Sequence, residues 1–340
     1  MRVFVVGDYR TGTGPANVTK EYLLRFPRDT RRLIFSSKLL RAFEIIFKVP
    51  VSSVLLISGY SKQNLLALKW ARVWHRPCAY LMHGCVEHEN AINECPDETM
   101  SGVERKTMEL STAIFAVSRH FAAWLKLNYP EYSDKISPMI NGVDTGRIYE
   151  AQDHDDGVRD QHMIFTVGGG MPRKKIKHIC EAVKVLNDKA GSDVYRLVVI
   201  GDTGKDDDEI NSYPFVENLG LVDSAEAGRL YDEAGLFIQN SCFETFGLAP
   251  MEALVHGCSI LVSKEVGALE LFEGLEDADI IRNWYDKAEI AFKAEKLLNK
   301  GNAKRLIMSF DKESSSWEAR TMQLWENLIT LTEEARDRRR

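Results

Sequence analysis

The sequence predicts an α/β protein of two domains, each built on a parallel sheet. Three observations lead there. The chain has 340 residues, more than one average domain. Short apolar runs alternate with helical patterns along most of its length, the signature of strand–helix–strand units whose sheets are covered on both faces. The alternation breaks once, at EAQDHDDGVRDQ (150–161), an acidic, apolar-poor stretch with Gly157 that reads as a linker.

In chain order, RVFVV (2–6), VLLIS (54–58), CAYLM (78–82) and IFAVS (114–118) read as strands. MIFTVG (163–168), RLVVIG (196–201), LFIQ (236–239) and SILVS (259–263) follow after the break. They are continuously apolar rather than alternating, as parallel strands buried on both faces must be. Helices fit between them, for instance at 179–189 and 224–235. From Ser314 onward, apolar residues at 317, 322, 324, 325, 328 and 331 keep helical spacing, with serines available as N-caps. RDRRR (336–340) reads as a frayed terminus. No repeat with a period of 20–50 residues is evident.

The composition is that of a soluble globular protein, 44% hydrophobic and 28% charged, which excludes collagen-like, disordered and mucin-like classes. No run of about 18 uncharged apolar residues exists, so no bilayer span is expected. The first apolar run ends at Asp8 without a small-residue cleavage site and reads as a strand, not a signal peptide. Six scattered cysteines fit reduced thiols in a cytosolic protein. The net charge of −6 is unevenly spread. Residues 1–86 hold 14 Lys and Arg against 4 Asp and Glu; residues 87–150 hold 6 against 11, and the rest 24 against 35. A basic N-terminal face attracts anions such as nucleic acid, anionic lipid or a phosphorylated acceptor, or is simply solvated.

Three local patterns carry candidate chemistry. GDYRTGTGPANVTKEYL joins the first strand to a helix, and Gly7, Gly12 and Gly14 permit a tight turn at a helix start that favours anions. It lacks the third glycine of G-x-G-x-x-G and an acidic residue about 20 positions on, which argues against a dinucleotide-binding dehydrogenase. LMHGCVEHENAINEC gathers His83, Cys85, His88 and Cys95, but His83-x-Cys85 is too tight for a usual zinc pair and no second cluster completes a set. His83 instead closes a strand at its carboxyl end, where open α/β sheets bind ligands; it either donates to a substrate or is satisfied by backbone. In SCFETFGLAPMEALVHGCSILVS (241–263), Glu244 and Glu252 lie eight apart around a tight turn and the start of a helix at Pro250, so both carboxylates can face one crevice. Exposed N–H groups at 246–248 suit a diphosphate, and carboxylates there suit sugar and ribose hydroxyls.

This last run resembles the E-x7-E signature of family 4 glycosyltransferases, through Ser241, Glu244, Phe246, Gly247, Leu248, Glu252, Ala253 and Gly257. Other stretches agree in order: the Gly-rich first loop, LMHG, FAVSRHFAAWL, NGVD (141–144), VGGGMPRKK, VVIGDT, VENLGLVDSAEAGRLYDEAGLFI and SSSWEARTMQLWENL. One position departs. Where the family has an arginine after the glycine, this chain has Gly169, with Lys174 at the family lysine and Arg173 beside it.

The resemblance implies the GT-B fold, two Rossmann-like domains facing a central cleft: an acceptor-binding domain (1–150), a nucleotide-sugar-binding domain (151–313), and a C-terminal helix (314–340) returning to the first. It implies a retaining transferase, hexosyl or N-acetylhexosaminyl, with a UDP-sugar favoured over a GDP-sugar. The acceptor is a glycan or lipid-linked molecule in cell-surface polysaccharide or glycoconjugate synthesis. His83, Glu244 and Lys174 take catalytic roles. Gly14, Gly168, Arg173, Lys174, Phe246, Gly247, Leu248 and Glu252 hold the donor. No metal and no cofactor is implied, since D-D-D occurs only at 206–208, in an expected surface loop. A sugar-nucleotide epimerase of the same fold and a non-catalytic transferase-like subunit are the alternatives. No nucleic acid partner is expected. The segment 31–49, with Arg31, Arg32, Lys38, Arg41 and Lys48 against Glu44 alone, carries an apolar stripe of Leu39, Leu40, Phe43, Ile46 and Phe47. That stripe either packs on the sheet or lies on an anionic membrane, which would place a cytoplasmic protein at the inner membrane face.

Overall fold

The structure is a computed structural model that describes residues 1–152 and 159–338. The chain divides into two compact units. The first comprises Met1–His88, Asp97–Val143 and Glu313–Arg340; the second comprises Glu89–Pro96 and Asp144–Lys312.

The first unit holds β1 (Val3–Val6), β2 (Arg31–Arg32), β3 (Val54–Ser58), β4 (Cys78–Met82), β5 (Ala113–Ala116) and β6 (Ile136–Pro138), all parallel, in the order β2-β1-β3-β4-β5-β6. β1, β3 and β4 are buried at every position, which is why they carry apolar residues without alternation. The crossovers include α1 (Gly14–Arg25), α2 (Lys38–Lys48) and α3 (Lys62–Val73). The helix Trp317–Asp337 belongs to this unit. Ser316 caps it by accepting from the Ala319 N–H, and Trp317 packs edge-on against Tyr22 of α1 with ring centroids 5.4 Å apart. The Val143 N–H donates to the Ser315 carbonyl at 2.9 Å, and a Cβ on Gly142 would lie 2.7 Å from Trp317 atoms. NGVD and the SSSWE segment, far apart in sequence, thus meet where a glycine admits the indole.

The second unit holds β7 (Asp160–Val167), β8 (Arg196–Ile200), β9 (Val216–Gly220), β10 (Ala234–Gln239), β11 (Ser259–Ser263) and β12 (Ile280–Ile281), again all parallel, in the order β12-β11-β10-β7-β8-β9. The helix Ile176–Ala190 closes one face of its core through Ile176, Ile179, Cys180, Val183 and Leu186. Strand order reverses between β7 and β10, and in the first sheet between β1 and β3. Carboxyl ends of strands at such reversals leave a crevice for ligands.

Three expectations need adjustment. The helix read at 224–235 ends at Glu233, and Ala234 and Gly235 open β10. The acidic break is shorter than 150–161: the helix Thr145–Gln152 reaches into it and β7 starts at Asp160, while 153–158 lie outside the described residues. Within the segment 31–49, Arg31–Arg32 form β2, and the helix that carries the apolar stripe is limited to α2.

Candidate functional site

A buried charged cluster of the second unit sits at the crossover point of its sheet, after β7 and β10. β7 ends at Val167 and the chain enters Gly168-Gly169-Gly170. The N–H groups of Gly168 and Gly169 both donate to the Ile200 carbonyl at 2.7 and 3.0 Å, which pins the turn to the end of β8. Gly169 takes φ +53°, and a Cβ there would lie 1.9 Å from the Asp202 carbonyl oxygen. The family's arginine therefore has no room on this backbone. A 3₁₀ turn, Pro172–Lys174, follows. Lys175 then takes a left-handed φ of +51°, unusual outside glycine, before the helix Ile176–Ala190 starts.

The loop after β10 is tied to this turn. The Cys242 N–H donates to the Arg173 carbonyl at 2.9 Å, and Asn240 Nδ2 donates to the Lys175 carbonyl at 3.3 Å. Between them, Lys174 Nζ lies 2.5 Å from Glu244 Oε2, and Arg173 Nη1 lies 3.4 Å from the same oxygen. Gln239 Nε2, from the last residue of β10, donates to it at 3.0 Å. Arg173 also faces Glu89 at 3.6 Å, and its N–H donates to Asn93 Oδ1 at 3.1 Å. Burial pushes the Glu244 carboxyl up, but the charges and hydrogen bonds of Lys174 and Arg173 outweigh it and hold the group below the ordinary carboxylate range. Burial depresses the Lys174 ammonium, Arg173 adds repulsion, and Glu244 opposes both.

Gly247 takes φ +88°, and a Cβ there would press within 2.8 Å of Val266 and 3.1 Å of Glu244 Cγ. Phe246 is buried, and its carbonyl accepts from the Ala268 N–H at 2.7 Å. Leu248 leads into the helix Ala249–Val255 with Pro250 in its first turn. Among the described residues, the N–H groups of Gly247 and Leu248 make no hydrogen bond.

The structure therefore brings Gly168, Arg173, Lys174, Glu244 and Gly247 together. Glu252 is exposed and accepts from Tyr231 Oη at 3.3 Å, because it lies one helical turn beyond the loop that buries Glu244. The D-D-D stretch is not the surface loop expected: Asp206 is buried and faces Lys177 at 3.4 Å, and Asp207 Oδ2 accepts the Gly204 N–H at 2.7 Å beside Gly170. Gln239, Glu89 and Asn93 escaped the sequence reading. Only Gln239 carried a signal, as a polar residue closing an apolar strand at the crossover.

In the first unit, His83 follows β4. Its Nε2 lies 2.8 Å from Ser58 Oγ at the end of β3, and Ser58 Oγ lies 2.6 Å from Thr19 Oγ1 of α1. Burial pushes the imidazole down to about 4, so it is neutral at physiological pH. Gly14 opens α1 in open space, next to Pro15. Cys85, near Tyr129 Oη at 3.3 Å, and His88, beside Trp124, belong to this unit, whereas Cys95 falls in the second. Among the described residues, no group of three His, Cys, Asp or Glu side chains is placed to hold a metal ion.

Residues 150–312 match the model of the family described as glycosyl transferases group 1. A probable sucrose-phosphate synthase from Thermosipho melanesiensis is 24% identical over 219 residues, covering 59% of this chain and 50% of that protein, so the chain spans about half the length of the curated relative it matches. Among solved structures, HepE from Anabaena in complex with UDP and glucose aligns with a TM-score of 0.66 at 13% identity, covering 97% of this chain and 100% of that one. Sucrose-phosphate synthase from Thermosynechococcus elongatus aligns with a TM-score of 0.65 at 15% identity, over 97% and 99%. At those identities the likeness concerns the fold. Two parallel six-stranded sheets with flanking helices are a GT-B-like architecture, and residues 150–312 of it match the glycosyl transferases group 1 model.

Proposed function

We propose that the chain is a retaining glycosyltransferase that moves a hexosyl or N-acetylhexosaminyl group from a nucleotide-sugar to a glycan or lipid-linked acceptor, with UDP as the favoured nucleotide. The observation that carries the reading is the convergence of Lys174 and Arg173 on Glu244 at the crossover of the second sheet, inside the region that matches the group 1 model. Breaking a glycosyl–phosphate bond builds negative charge on the departing diphosphate. Two cations fixed by backbone ties between the post-β7 and post-β10 loops meet that charge without reorganisation, which is how electrostatic preorganisation lowers a barrier. They supply the positive charge a metal ion would, and we infer a metal-independent reaction. The N–H groups of Gly247 and Leu248 offer further donors to phosphate or sugar oxygens. Glu244, ionised and held among cations, accepts from a sugar hydroxyl; exposed Glu252 accepts from the ribose hydroxyls. Gly168 lets the backbone approach the donor. His83, neutral and aligned by Ser58, offers a hydrogen bond to a ligand hydroxyl at the end of the first sheet. Retention follows, in this reading, from same-face attack guided by the leaving phosphate.

The test is nucleotide release from UDP-, GDP- and ADP-sugars with and without a panel of glycan and lipid-linked acceptors, with product anomers assigned by NMR. Acceptor-dependent release with the donor's anomeric configuration kept is expected. Conversion of the donor sugar without any acceptor would make the protein an epimerase, and inertness toward every donor would leave a non-catalytic subunit.

A further inference from the structure

We propose that the outer face of α2 and α3 docks on the surface of an anionic phospholipid bilayer. The periodicity of α2 defines an apolar stripe without saying where it points, and the structure turns it outward. The inward side of α2 is made by Ile45 and Glu44, the latter only 7% exposed. The Glu44 carboxylate accepts the N–H groups of Ile34 and Phe35 at 3.0 Å and pairs with Lys48. Burial pushes this carboxyl up, yet the Lys48 and backbone hydrogen bonds outweigh it and hold it ionised. With Glu44 locked beneath the helix, Leu39, Leu40, Phe43, Ile46 and Phe47 face solvent, Leu39 at 68% and Phe47 at 72% exposure. The neighbouring loop adds Ile34 and Phe35, and α3 with its C-cap adds Leu66, Val73 and Trp74. With Val51, that makes 11 of the 22 exposed large apolar side chains among the described residues, gathered within 41 positions. A solvated face does not concentrate them so.

The two helices form one rigid face. Trp70 Nε1 of α3 donates to the Ile46 carbonyl at 3.0 Å, and Gln63 Nε2 donates to the Lys38 carbonyl at 3.2 Å. Charge complementarity selects the occupant. Between Arg31 and Arg76 the chain carries nine Lys and Arg, and its single carboxylate is the buried Glu44. Lys38, Lys62 and Lys69 are exposed and make no ion pair among the described residues. A rigid apolar face rimmed by unpaired cations, with two tryptophans at its edge, has the amphipathy of an element lying in the headgroup layer over anionic lipid. No helix among the described residues is long and apolar enough to cross a membrane, so attachment here is to the surface.

The inference does not depend on the transfer reading, and its test measures binding rather than turnover. The full chain is sedimented with vesicles of phosphatidylcholine alone and of phosphatidylcholine with phosphatidylglycerol, at low and high salt. Partitioning onto the anionic vesicles is expected, weakening with salt. The variant Lys38→Glu/Lys62→Glu/Lys69→Glu should lower it at least about tenfold. Phe43→Ser/Phe47→Ser should lower it as well, with circular dichroism melting showing both variants folded, because every substituted side chain is exposed. Equal binding to both vesicle types, or binding to neither, would overturn the proposal. A concentration-dependent dimer abolished by Phe43→Ser/Phe47→Ser would do the same, by giving the face to a second copy.

Discussion

Gly169→Ala is the substitution in which the site's geometry makes its sharpest numerical demand. The residue sits at φ +53°, where an L side chain costs about 1–2 kcal/mol on its own. The added Cβ would also lie 1.9 Å from the Asp202 carbonyl oxygen, 2.8 Å from its carbon and 2.9 Å from the Gly201 carbonyl carbon. These are backbone atoms at the end of β8, held by the Gly168 and Gly169 hydrogen bonds to Ile200, and they cannot rotate aside as a side chain would. Relieving such contacts by shifting packed backbone costs typically another 1–3 kcal/mol, for a total of about 2–5 kcal/mol. Gly191→Ala is the control: its φ of +76° is equally left-handed, but a Cβ there meets nothing within 4 Å, so only the conformational cost of about 1–2 kcal/mol remains. Calorimetric unfolding of both variants separates the two effects. The second unit of Gly169→Ala should melt well below that of Gly191→Ala, and nucleotide-sugar affinity should fall only in the former, because the turn that carries Arg173 and Lys174 must move. Equal melting temperatures for the two variants would refute the packing argument. Gly169→Arg, by the same reasoning, destabilises the unit rather than restoring the family's arginine.

Lys174→Ala and Glu244→Gln should each lower kcat by about 10²–10³ with the fold retained, as loss of one preorganised charge contact does; near-normal turnover in either folded variant would remove these residues from the mechanism. His83 links stability to pH. Its folded imidazole titrates near 4 against about 6.5 when unfolded, so the unfolded state binds more protons in that window. The contribution is complete above pH 6.5 and is lost as pH falls toward 4, by at most about 3 kcal/mol. His83→Gln should flatten denaturation free energy across that range, and an unchanged slope would contradict the assignment. Transfer should survive EDTA, since Lys174 and Arg173 supply the charge in this account; activity lost on chelation and regained with a divalent cation would count against it.

Eight of the strands among the described residues were legible because each is a continuous apolar run, and the break in the alternation separated their two groups; β2, β6, β9 and β12 were not, being too short, polar or alternating to stand out. Ends were less legible. Ala234 and Gly235 continue the helical pattern of 224–233 as readily as they open β10, and only pairing with β7 decides it. In the site, Glu244 and Gly247 were visible from the pattern of their own run, whereas Lys174 and the departure at Gly169 showed only through the family resemblance. Glu89 and Asn93 were not, because 89–96 joins the second unit through contacts 80 residues distant, and no local pattern encodes that. Asp206 and Asp207 looked like solvent-facing charges for the same reason. The stripe on α2 was readable as a period, but its direction depends on where the Glu44 carboxylate finds backbone donors, which is a tertiary fact.

The central claim is that the second unit holds a nucleotide-sugar through the Lys174–Glu244–Arg173 cluster. Its most direct test is calorimetric melting of the full chain with UDP-, GDP- and ADP-sugars, in the wild type and in Lys174→Ala. A ligand present at 100 times its dissociation constant stabilises the folded state by about 2.7 kcal/mol. The account predicts a raised transition for the second unit with at least one of these donors, largest for a UDP-sugar, and strongly reduced in Lys174→Ala. No shift with any donor, or an equal shift in the variant, would contradict it.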